Sequence, residues 1–348
     1  MKKQSQNLFD AFQSHQIDAF LVTKDENIFY LTGYRGAESW LLVTGNGMFY
    51  LTDGRHSLEA KSFLKKAEVV QCRKSIFDEL AELALTQRVK ALGFDEQCLT
   101  VSSFKNIQKA FKRKIKFVGT NALIEKIRAV KRKDELAKIK KALWFHKQCL
   151  GYLGTIIRPG RSEKQIFQLL DRHVGVHHYE FSFQPIIASG PNTCYPHARI
   201  TDRKIRRGDP VLVDIGIDHE GYKSDLTRMF FLGKIPHHIR KVYDAVGEAQ
   251  RLAIAKIKPG VLAKDIDSEA RNFLKEKRLD VYFTHSLGHG VGLEIHETPG
   301  VSPKNSTPLK EGMVLTVEPG VYIPGQFGIR IEDMVLVTAK GHKLLSKF

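Results

Sequence analysis

The first 124 residues alternate short apolar runs with segments of helical spacing. Runs rich in Val, Leu, Phe and Tyr, bounded by polar residues, predict four strands: 18–23, 39–44, 47–52 and 91–95. Apolar residues three or four positions apart predict three helices: 56–67, 75–86 and 102–113. This pattern predicts an α/β domain of its own, without a catalytic cluster.

The pattern changes near residue 124. A long, basic helical stretch covers 123–157, and the helices after it are followed by longer strands that are dense in Asp, His and Glu. We therefore predict two domains, an N-terminal domain over 1–124 and a second domain over 125–348 that carries the chemistry.

The second domain contains an internal repeat. IRPGRSEKQI (157–166) and IKPGVLAKDI (257–266) lie 100 residues apart, and each stands between two amphipathic helix patterns. A Pro-Gly turn is a common way to end one helix before the next begins, so the similarity of the two segments could arise by chance. The shared flanking pattern favours duplication, and it predicts a pseudo-twofold α/β fold with a site between its halves.

Composition indicates a folded protein. Of the 348 residues, 42% are apolar and 27% are charged, which suffices for a buried core. No apolar run approaches the ~20 residues of a membrane helix, and the N-terminal segment lacks the apolar region of a signal peptide. The four cysteines form no CxxC pair, so we predict neither a disulfide framework nor a thiolate zinc site. Cysteines of this kind fit a reducing compartment, and we predict a cytoplasmic location.

The net charge of +17 allows a nucleic-acid or membrane partner. The basic residues, however, are spread over 111–117, 130–141 and 202–207 and lack a basic-aromatic recognition module. We therefore interpret them as solvated helix faces and expect neither a nucleic acid nor a membrane as partner.

One pair of acids stands in VEPGVYIPGQFGIRIED (317–333). Glu318 and Glu332 are equidistant from Gly325, so a hairpin about that glycine would set the two carboxylates opposite each other. Like charges across strands destabilise a sheet. An ion pair with Arg330 is one explanation, and Arg330 could also act as a clamp behind metal ligands.

A second pair has the same symmetry. Asp214 and Asp225 are equidistant from the centre at His219 and Glu220, which predicts another hairpin with opposed acids. Turn or cap roles are the alternative for such residues. Four carboxylates in one pocket must take up protons, meet cations or bind metal.

A His-rich segment, HSLGHGVGLEIHETP (285–299), follows. Glycines on both sides of His289 would let backbone and ligand approach closely, although a core histidine is the alternative. Four carboxylates and one imidazole suit Mn²⁺, Co²⁺, Fe²⁺ or Zn²⁺, and they suffice for two ions about 3.5–4 Å apart.

At these residues the chain resembles the pita-bread metallopeptidase family (M24) of methionine aminopeptidase, aminopeptidase P and prolidase. The motifs that carry the resemblance are SGPNTCYPH (189–197), DIG and GYKSDLTR within 214–228, HSLGHGVGLEIHETP (285–299), TVEPGVYI (316–323) and GIRIEDMVLVT (328–338). NIFYLTGYRG (27–36) and LTDGRHSLEA (51–60) are similar to the N-terminal creatinase-like domain of the Xaa-Pro branch. The resemblance implies an α/β fold in which this domain precedes a pita-bread catalytic domain, and a homodimer.

The resemblance also implies the site. Five residues match the ligands of two divalent ions, with Mn²⁺ expected first and Co²⁺, Zn²⁺ or Fe²⁺ as alternatives: Asp214, Asp225, His289, Glu318 and Glu332. Glu318 also matches the residue that moves the proton of a metal-bridging hydroxide. His197 and His296 match histidines that contact substrate and stabilise the tetrahedral intermediate, and His285 matches a histidine that positions substrate or shuttles protons.

The implied substrates are peptides with proline at the second position. Archaeal-type prolidases resemble HExPR, with an Arg that suits the carboxylate of a dipeptide, whereas this chain has Gly300 at that place. The difference favours an Xaa-Pro aminopeptidase over an Xaa-Pro dipeptidase, although Arg199 could substitute. Pita-bread proteins that bind histones or nucleic acid, and creatinase, lack the ligand set that this chain keeps.

Overall fold

The computed structural model describes the backbone of residues 2–347 and the side chains of residue 8 and residues 10–347. The chain divides into two compact units, Met1–Arg128 and Ala129–Phe348. The boundary predicted after residue 124 lies inside the helix Leu123–Arg128. The stretch predicted as helical over 123–157 is interrupted at 129–132, before a second helix begins at Lys133.

The first unit is a six-stranded mixed sheet flanked by helices, with the strand order β4-β3-β2-β1-β5-β6. Its strands are β1 Ala19–Val22, β2 Trp40–Thr44, β3 Gly47–Thr52, β4 Glu68–Gln71, β5 Ala91–Asp95 and β6 Lys116–Thr120. Its helices are α1 Lys2–His15, α2 Asp25–Thr32, α3 Ser57–Phe63, α4 Ile76–Thr86, α5 Val101–Phe111 and α6 Leu123–Arg128. The four strands and three helices predicted from the pattern are confirmed.

The second unit contains four helices and thirteen strands within the described residues. The helices are α7 Lys133–Ile156, α8 Glu163–Val176, α9 His237–Lys256 and α10 Ala263–Glu276, with 3₁₀ turns at Gly190–Cys194 and Asp280–Tyr282. The first strands are β7 Glu180–Phe181, β8 Ile186–Ser189, β9 Pro210–Ile215, β10 Ile217–His219, β11 Tyr222–Lys223 and β12 Leu226–Phe231. The remaining strands are β13 Gly288–Gly290, β14 Glu297–Val301, β15 Val314–Val317, β16 Gly320–Ile323, β17 Phe327–Arg330, β18 Asp333–Thr338 and β19 Gly341–Leu344.

The internal repeat is visible in the backbone of the second unit. α7 and α8 meet at one Pro-Gly turn, and α9 and α10 meet at the other. The N–H of Gly160 donates to the Ile205 carbonyl, and the N–H of Gly260 donates to the Leu309 carbonyl, both at 2.9 Å. The two glycines have φ angles of 86° and 85°, in the left-handed region that favours glycine. The predicted pseudo-twofold architecture is confirmed.

Each helix pair covers one set of antiparallel strands. α7 and α8 pack against β9, the central strand of the sheet β12-β9-β8, and against β10, the central strand of the sheet β11-β10-β7. α9 and α10 pack against the sheet β14-β13-β15-β18-β19 and the hairpin β16-β17. Two hydrophobic cores therefore lie behind the strands that carry the candidate ligands.

Among the helices of residues 2–347, none combines the length and the apolar character that crossing a bilayer requires.

The turn that joins α9 to α10 yields a stability prediction. A Cβ added at Gly260 meets no atom within 4 Å, so Gly260→Ala acts only through its positive φ and should lower the free energy of unfolding by about 1 kcal/mol. The matched change Gly151→Ala, inside α7 and also in open space, should raise it by about 0.5–1 kcal/mol. Urea-unfolding midpoints of both variants test this, and a more stable Gly260→Ala protein would contradict it.

Candidate metal centre

The C-terminal acids lie where two strand pairs meet. β16 pairs with β17 and β15 pairs with β18 in one continuous register centred on Gly325, as the hairpin prediction requires. Glu318 and Glu332 fall opposite each other in the gap between these two ladders, where neither belongs to a strand. Their side chains are thus brought together without disrupting the ladder hydrogen bonds.

The second hairpin corrects the predicted register. β9 pairs with β12 so that Asp214 lies opposite Thr227, not opposite Asp225. The turn sits at Glu220–Gly221, one residue further along the chain than predicted, with φ angles of 49° and 87°. Two positive φ angles characterise the tight turns that match strand twist. Because Asp225 precedes Thr227 by two residues, it faces the same side of the pair as Asp214.

The two acidic segments occupy equivalent places in the two halves. Asp214 is the second-last residue of β9 in the first half, and Glu318 directly follows β15 in the second. They are separated by 104 residues, as are Ile205 and Leu309, whose carbonyls accept from the glycines of the two Pro-Gly turns. The pseudo-twofold relation therefore sets one carboxylate from each half at the same position.

His289 reaches the acids from the short strand β13. A Cβ at Gly288 would lie 2.1 Å from a backbone oxygen of β15, so only glycine permits this close approach. The Nε2 atom of His289 lies 3.5 Å from Oδ2 of Asp225 and 3.3 Å from Oε1 of Glu318. Candidate ligand atoms of Asp225, His289 and Glu332 all lie within 4.8 Å of one another.

All five predicted ligands line one cavity of about 920 Å³. The predicted histidines His197, His285 and His296 line the same cavity. The structure thus brings the eight residues singled out in the sequence to a single site.

Arg330 lies behind the cluster and pairs with only one of the acids. Its Nη2 atom donates to Oδ2 of Asp214 at 2.6 Å, so the proposed ion pair with Glu318 or Glu332 is wrong. The remaining donors of this buried guanidinium bind Tyr322, Thr227 and the carbonyl of Pro196. The other oxygen of Asp214, Oδ1, is buried and has no hydrogen-bond partner in the described part of the chain.

The carboxylates perturb one another's ionisation. Burial, followed by the charges of the neighbouring acids, raises the pKa of Asp225 and the pKa of Glu332 well above their usual values. Burial also raises the pKa of Asp214, against the opposing charge of Arg330. Burial opposes ionisation of Glu318 too, yet the hydrogen bond and charge of His289 lower its pKa. In the metal-free protein, part of this charge is therefore neutralised by protons.

The donor set fits divalent metal ions. It consists of four carboxylates and one imidazole, three of the acids are buried, and an oxygen of Asp214 has no partner among the described residues. Cations can replace the protons that Asp225 and Glu332 hold, and oxygen-rich sets of this kind suit Mn²⁺, Co²⁺, Fe²⁺ and Zn²⁺.

The three histidines differ in their surroundings. Both ring nitrogens of His285 are engaged, since Nδ1 donates to the Ser286 carbonyl at 2.8 Å and Nε2 accepts from the Tyr322 hydroxyl at 3.0 Å. His197 and His296 are exposed to the cavity. Burial and the charge of His289 lower the pKa of His296, which favours its neutral form. His197 and His296 can therefore donate to a ligand, whereas His285 is held in place.

Glu163 is a buried acid that the sequence analysis did not identify. As the first residue of α8, it accepts hydrogen bonds from Ser189 N and Oγ at 2.7 Å and from Asn192 Nδ2 at 3.1 Å. It also accepts from Thr201 N at 3.0 Å and Thr201 Oγ1 at 2.6 Å. One carboxylate thereby holds both ends of the segment that carries His197.

Thr227 was also missed. Its hydroxyl donates to Oε2 of Glu332 at 2.9 Å and accepts from Nε of Arg330 at 3.0 Å. The motif SGPN, at the start of the Glu163-bound segment, was the available signal for Glu163, because its Ser and Asn are partners of that acid. Thr227 lies within the motif GYKSDLTR, two residues after Asp225, and this same-face spacing was the available signal.

Comparison with known proteins identifies both units. The model of metallopeptidase family M24 matches residues 137–339, and that of the creatinase/prolidase N-terminal domain matches residues 4–130. An Xaa-Pro dipeptidase of Pyrococcus furiosus is 35% identical over 350 residues, covering 100% of this chain and 98% of the relative.

Solved structures of an Xaa-Pro dipeptidase and of an X-Pro aminopeptidase are both similar to the chain. An Xaa-Pro dipeptidase from Bacillus anthracis has a TM-score of 0.94 at 33% identity, covering 100% of this chain and 98% of its own. An X-Pro aminopeptidase from Thermotoga maritima has a TM-score of 0.88 at 35% identity, covering 97% of this chain and 98% of its own.

The acidic cluster predicts a metal-dependent stability. Mn²⁺ at 100 times its dissociation constant should raise the free energy of unfolding of metal-stripped protein by about 2.7 kcal/mol, because the unfolded chain lacks the site. Thermal melting with and without the ion measures the shift. Asp225→Asn removes one ligand and an acid whose ionisation is opposed by burial, so this variant should melt higher than wild type without metal and gain less from Mn²⁺. Equal gains in both proteins would contradict the site.

The sign of the pH effect follows from the pKa directions. Raised pKa values in the folded state stabilise the metal-free protein at low pH, and this contribution is lost as the pH rises through those values. Protons compete with the ion for Asp225 and Glu332, so the Mn²⁺-induced shift should be smaller near pH 5 than near pH 7.5.

Glu163 yields a separate prediction. Glu163→Gln sets an amide donor against the donors of Ser189, Asn192 and Thr201, which should cost about 1–3 kcal/mol of unfolding free energy. Amide hydrogens within 189–201 should exchange faster, because both ends of the segment are released. The control Glu180→Gln changes an exposed acid and should leave both measurements unaltered. Unchanged exchange in Glu163→Gln would show that the carboxylate does not hold the segment.

Proposed function

We propose that this chain, which belongs to metallopeptidase family M24, hydrolyses Xaa-Pro bonds and releases the N-terminal residue from peptides with proline in second position. The observation that carries this proposal is the single cavity in which the five candidate ligands and three candidate histidines converge. The similar proteins named Xaa-Pro dipeptidase and X-Pro aminopeptidase support the substrate class.

The family implies divalent metal ions, and we propose two, with Mn²⁺ as the first choice. The proposed ligands are Asp214, Asp225, His289, Glu318 and Glu332. Divalent ions supply a lowered pKa for bound water and polarisation of a carbonyl oxygen.

Glu318 is the proposed proton carrier. Its carboxylate faces the cavity, and its lowered pKa keeps it ionised, so it can accept a proton from the attacking water. Attack forms a bond from the water oxygen to the carbonyl carbon and gives a tetrahedral intermediate. The protonated Glu318 then gives its proton to the proline nitrogen as the C–N bond breaks, which restores the carboxylate.

His197 and His296 are proposed to stabilise the oxyanion. Each is exposed to the cavity and can donate an N–H to the oxygen on which negative charge develops. His285 has both nitrogens engaged by the protein, which supports a role in positioning substrate over a role in carrying protons.

Open space at Gly300 supports the aminopeptidase over the dipeptidase. Gly300 lines the cavity, and a Cβ added there meets no atom within 4 Å, so a chain that continues beyond proline finds room. An Xaa-Pro dipeptidase is the second candidate, favoured by the names of the similar proteins from Pyrococcus furiosus and Bacillus anthracis. A homodimer and a cytoplasmic location stay predictions from the sequence.

The test is turnover of metal-stripped protein with Mn²⁺, Co²⁺ or Zn²⁺ added back, on an Xaa-Pro dipeptide and an Xaa-Pro-Xaa tripeptide. We expect metal-dependent release of the first residue from the tripeptide and slower hydrolysis of the dipeptide. Glu318→Ala and His289→Ala should abolish turnover of both, because the first removes the proton carrier and each removes a metal ligand.

The opposite substrate preference would establish a dipeptidase. Near-wild-type activity of Glu318→Ala or His289→Ala would refute the site assignment, and no turnover with any of the metals would refute the peptidase itself.

A further inference from the structure

The cavity is lined by two arginines with different surroundings. Arg330 is buried, and its guanidinium is hydrogen-bonded to Asp214, Tyr322, Thr227 and a backbone carbonyl. Its charge is therefore engaged by the protein. Arg199 also lines the cavity, but it is exposed and forms neither a hydrogen bond nor an ion pair with the other described residues.

The backbone directs Arg199 into the cavity beside His197. The segment around these residues is not helical, and exposure alternates along it, since Ala198 is buried between them. Ala198 packs in a small core cluster with Ile186 and Leu212. His197 and Arg199 both line the cavity, whereas Ala198 between them points into the core.

Arg199 also belongs to the segment that Glu163 holds. The hydrogen bonds to Ser189 and Asn192 fix the chain before it, and those to Thr201 fix the chain two residues after it. The main chain at Arg199 is thus held from both sides. Binding an anion there requires ordering of one side chain and no rearrangement of the loop.

We propose that Arg199 binds the free C-terminal carboxylate of short Xaa-Pro peptides and so determines which substrate lengths are preferred. The inference rests on the proposed function. A guanidinium forms two parallel hydrogen bonds to a carboxylate, and such charged bonds are stronger than neutral ones. The described residues provide no carboxylate partner for Arg199, so a substrate carboxylate meets no competitor.

Charge, and not the shape of the cavity, would then determine which peptide length is preferred. The open space at Gly300 leaves room for longer peptides, so the cavity wall there does not exclude them. A peptide whose carboxylate reaches Arg199 gains an ion pair, and a longer or amidated peptide does not.

The experiment compares free-acid and amidated substrates. Ala-Pro and Ala-Pro-Ala, each as free acid and as C-terminal amide, are assayed with wild type, Arg199→Lys and Arg199→Gln in the presence of Mn²⁺. Wild type should prefer the acid at one of the two lengths by about tenfold to 100-fold in kcat/KM, mainly through KM. Arg199→Gln should lose this preference, and Arg199→Lys should keep part of it, because an ammonium retains the charge without the planar fork.

Arg207→Gln is the matched control. Arg207 is an exposed arginine eight residues further along the chain, and it is not part of the cavity lining. This variant should keep the wild-type acid-to-amide ratio at both lengths.

The possible outcomes separate the inference from the function on which it rests. Turnover with equal acid and amide rates in wild type overturns the role of Arg199 and leaves the peptidase intact. An equal loss on acid and amide in Arg199→Gln overturns it as well, since that result indicates a general effect on the site. An absence of turnover on all four substrates overturns both proposals.

Discussion

Repulsion among four carboxylates in one buried cluster is the constraint on which the catalytic unit depends. Asp214, Asp225, Glu318 and Glu332 line the same cavity, and among the buried cations of the described residues only Arg330 binds one of their carboxylates. Burial and mutual repulsion raise the pKa values of Asp225 and Glu332, so both acids resist ionisation in the metal-free protein. Such an arrangement is stable only where the surrounding fold fixes it and a cation can neutralise it.

Strand register and hydrogen bonds from neighbouring residues hold the acids in place against this repulsion. The strand ladders β15-β18 and β16-β17 leave a gap for Glu318 and Glu332, so their positions follow from register and not from attraction. Thr227 and Arg330 connect acids of different strands, and Glu163 plays a comparable role for the segment with His197. The residues that face the cavity and those that hold them are therefore largely different sets.

The sequence predicted the features that depend on local pattern. The hairpin about Gly325 could be predicted, because antiparallel pairing preserves the spacing of the acids from the turn. The hairpin after Asp214 was misplaced by one residue, because Glu220 adopts a positive φ that is uncommon for a glutamate. Of the two alternatives for Arg330, the ion pair with Glu318 or Glu332 is wrong, and the bond to Asp214 agrees with a clamp behind the candidate ligands. Glu163 acts through tertiary contacts with Ser189 and Thr201, which no periodicity along the chain reveals.

The equivalence of the two halves has a mechanical consequence. Asp214 and Asp225 belong to the first half, whereas His289, Glu318 and Glu332 belong to the second, and equivalent positions are 100 to 104 residues apart. An ion held by ligands from both halves is a cross-link that closes a chain loop of about that length. Closing a long loop removes conformational entropy from the unfolded chain, in the way a disulfide does. Metal at this centre would thus act as a reversible staple that joins the two halves of the duplicated fold.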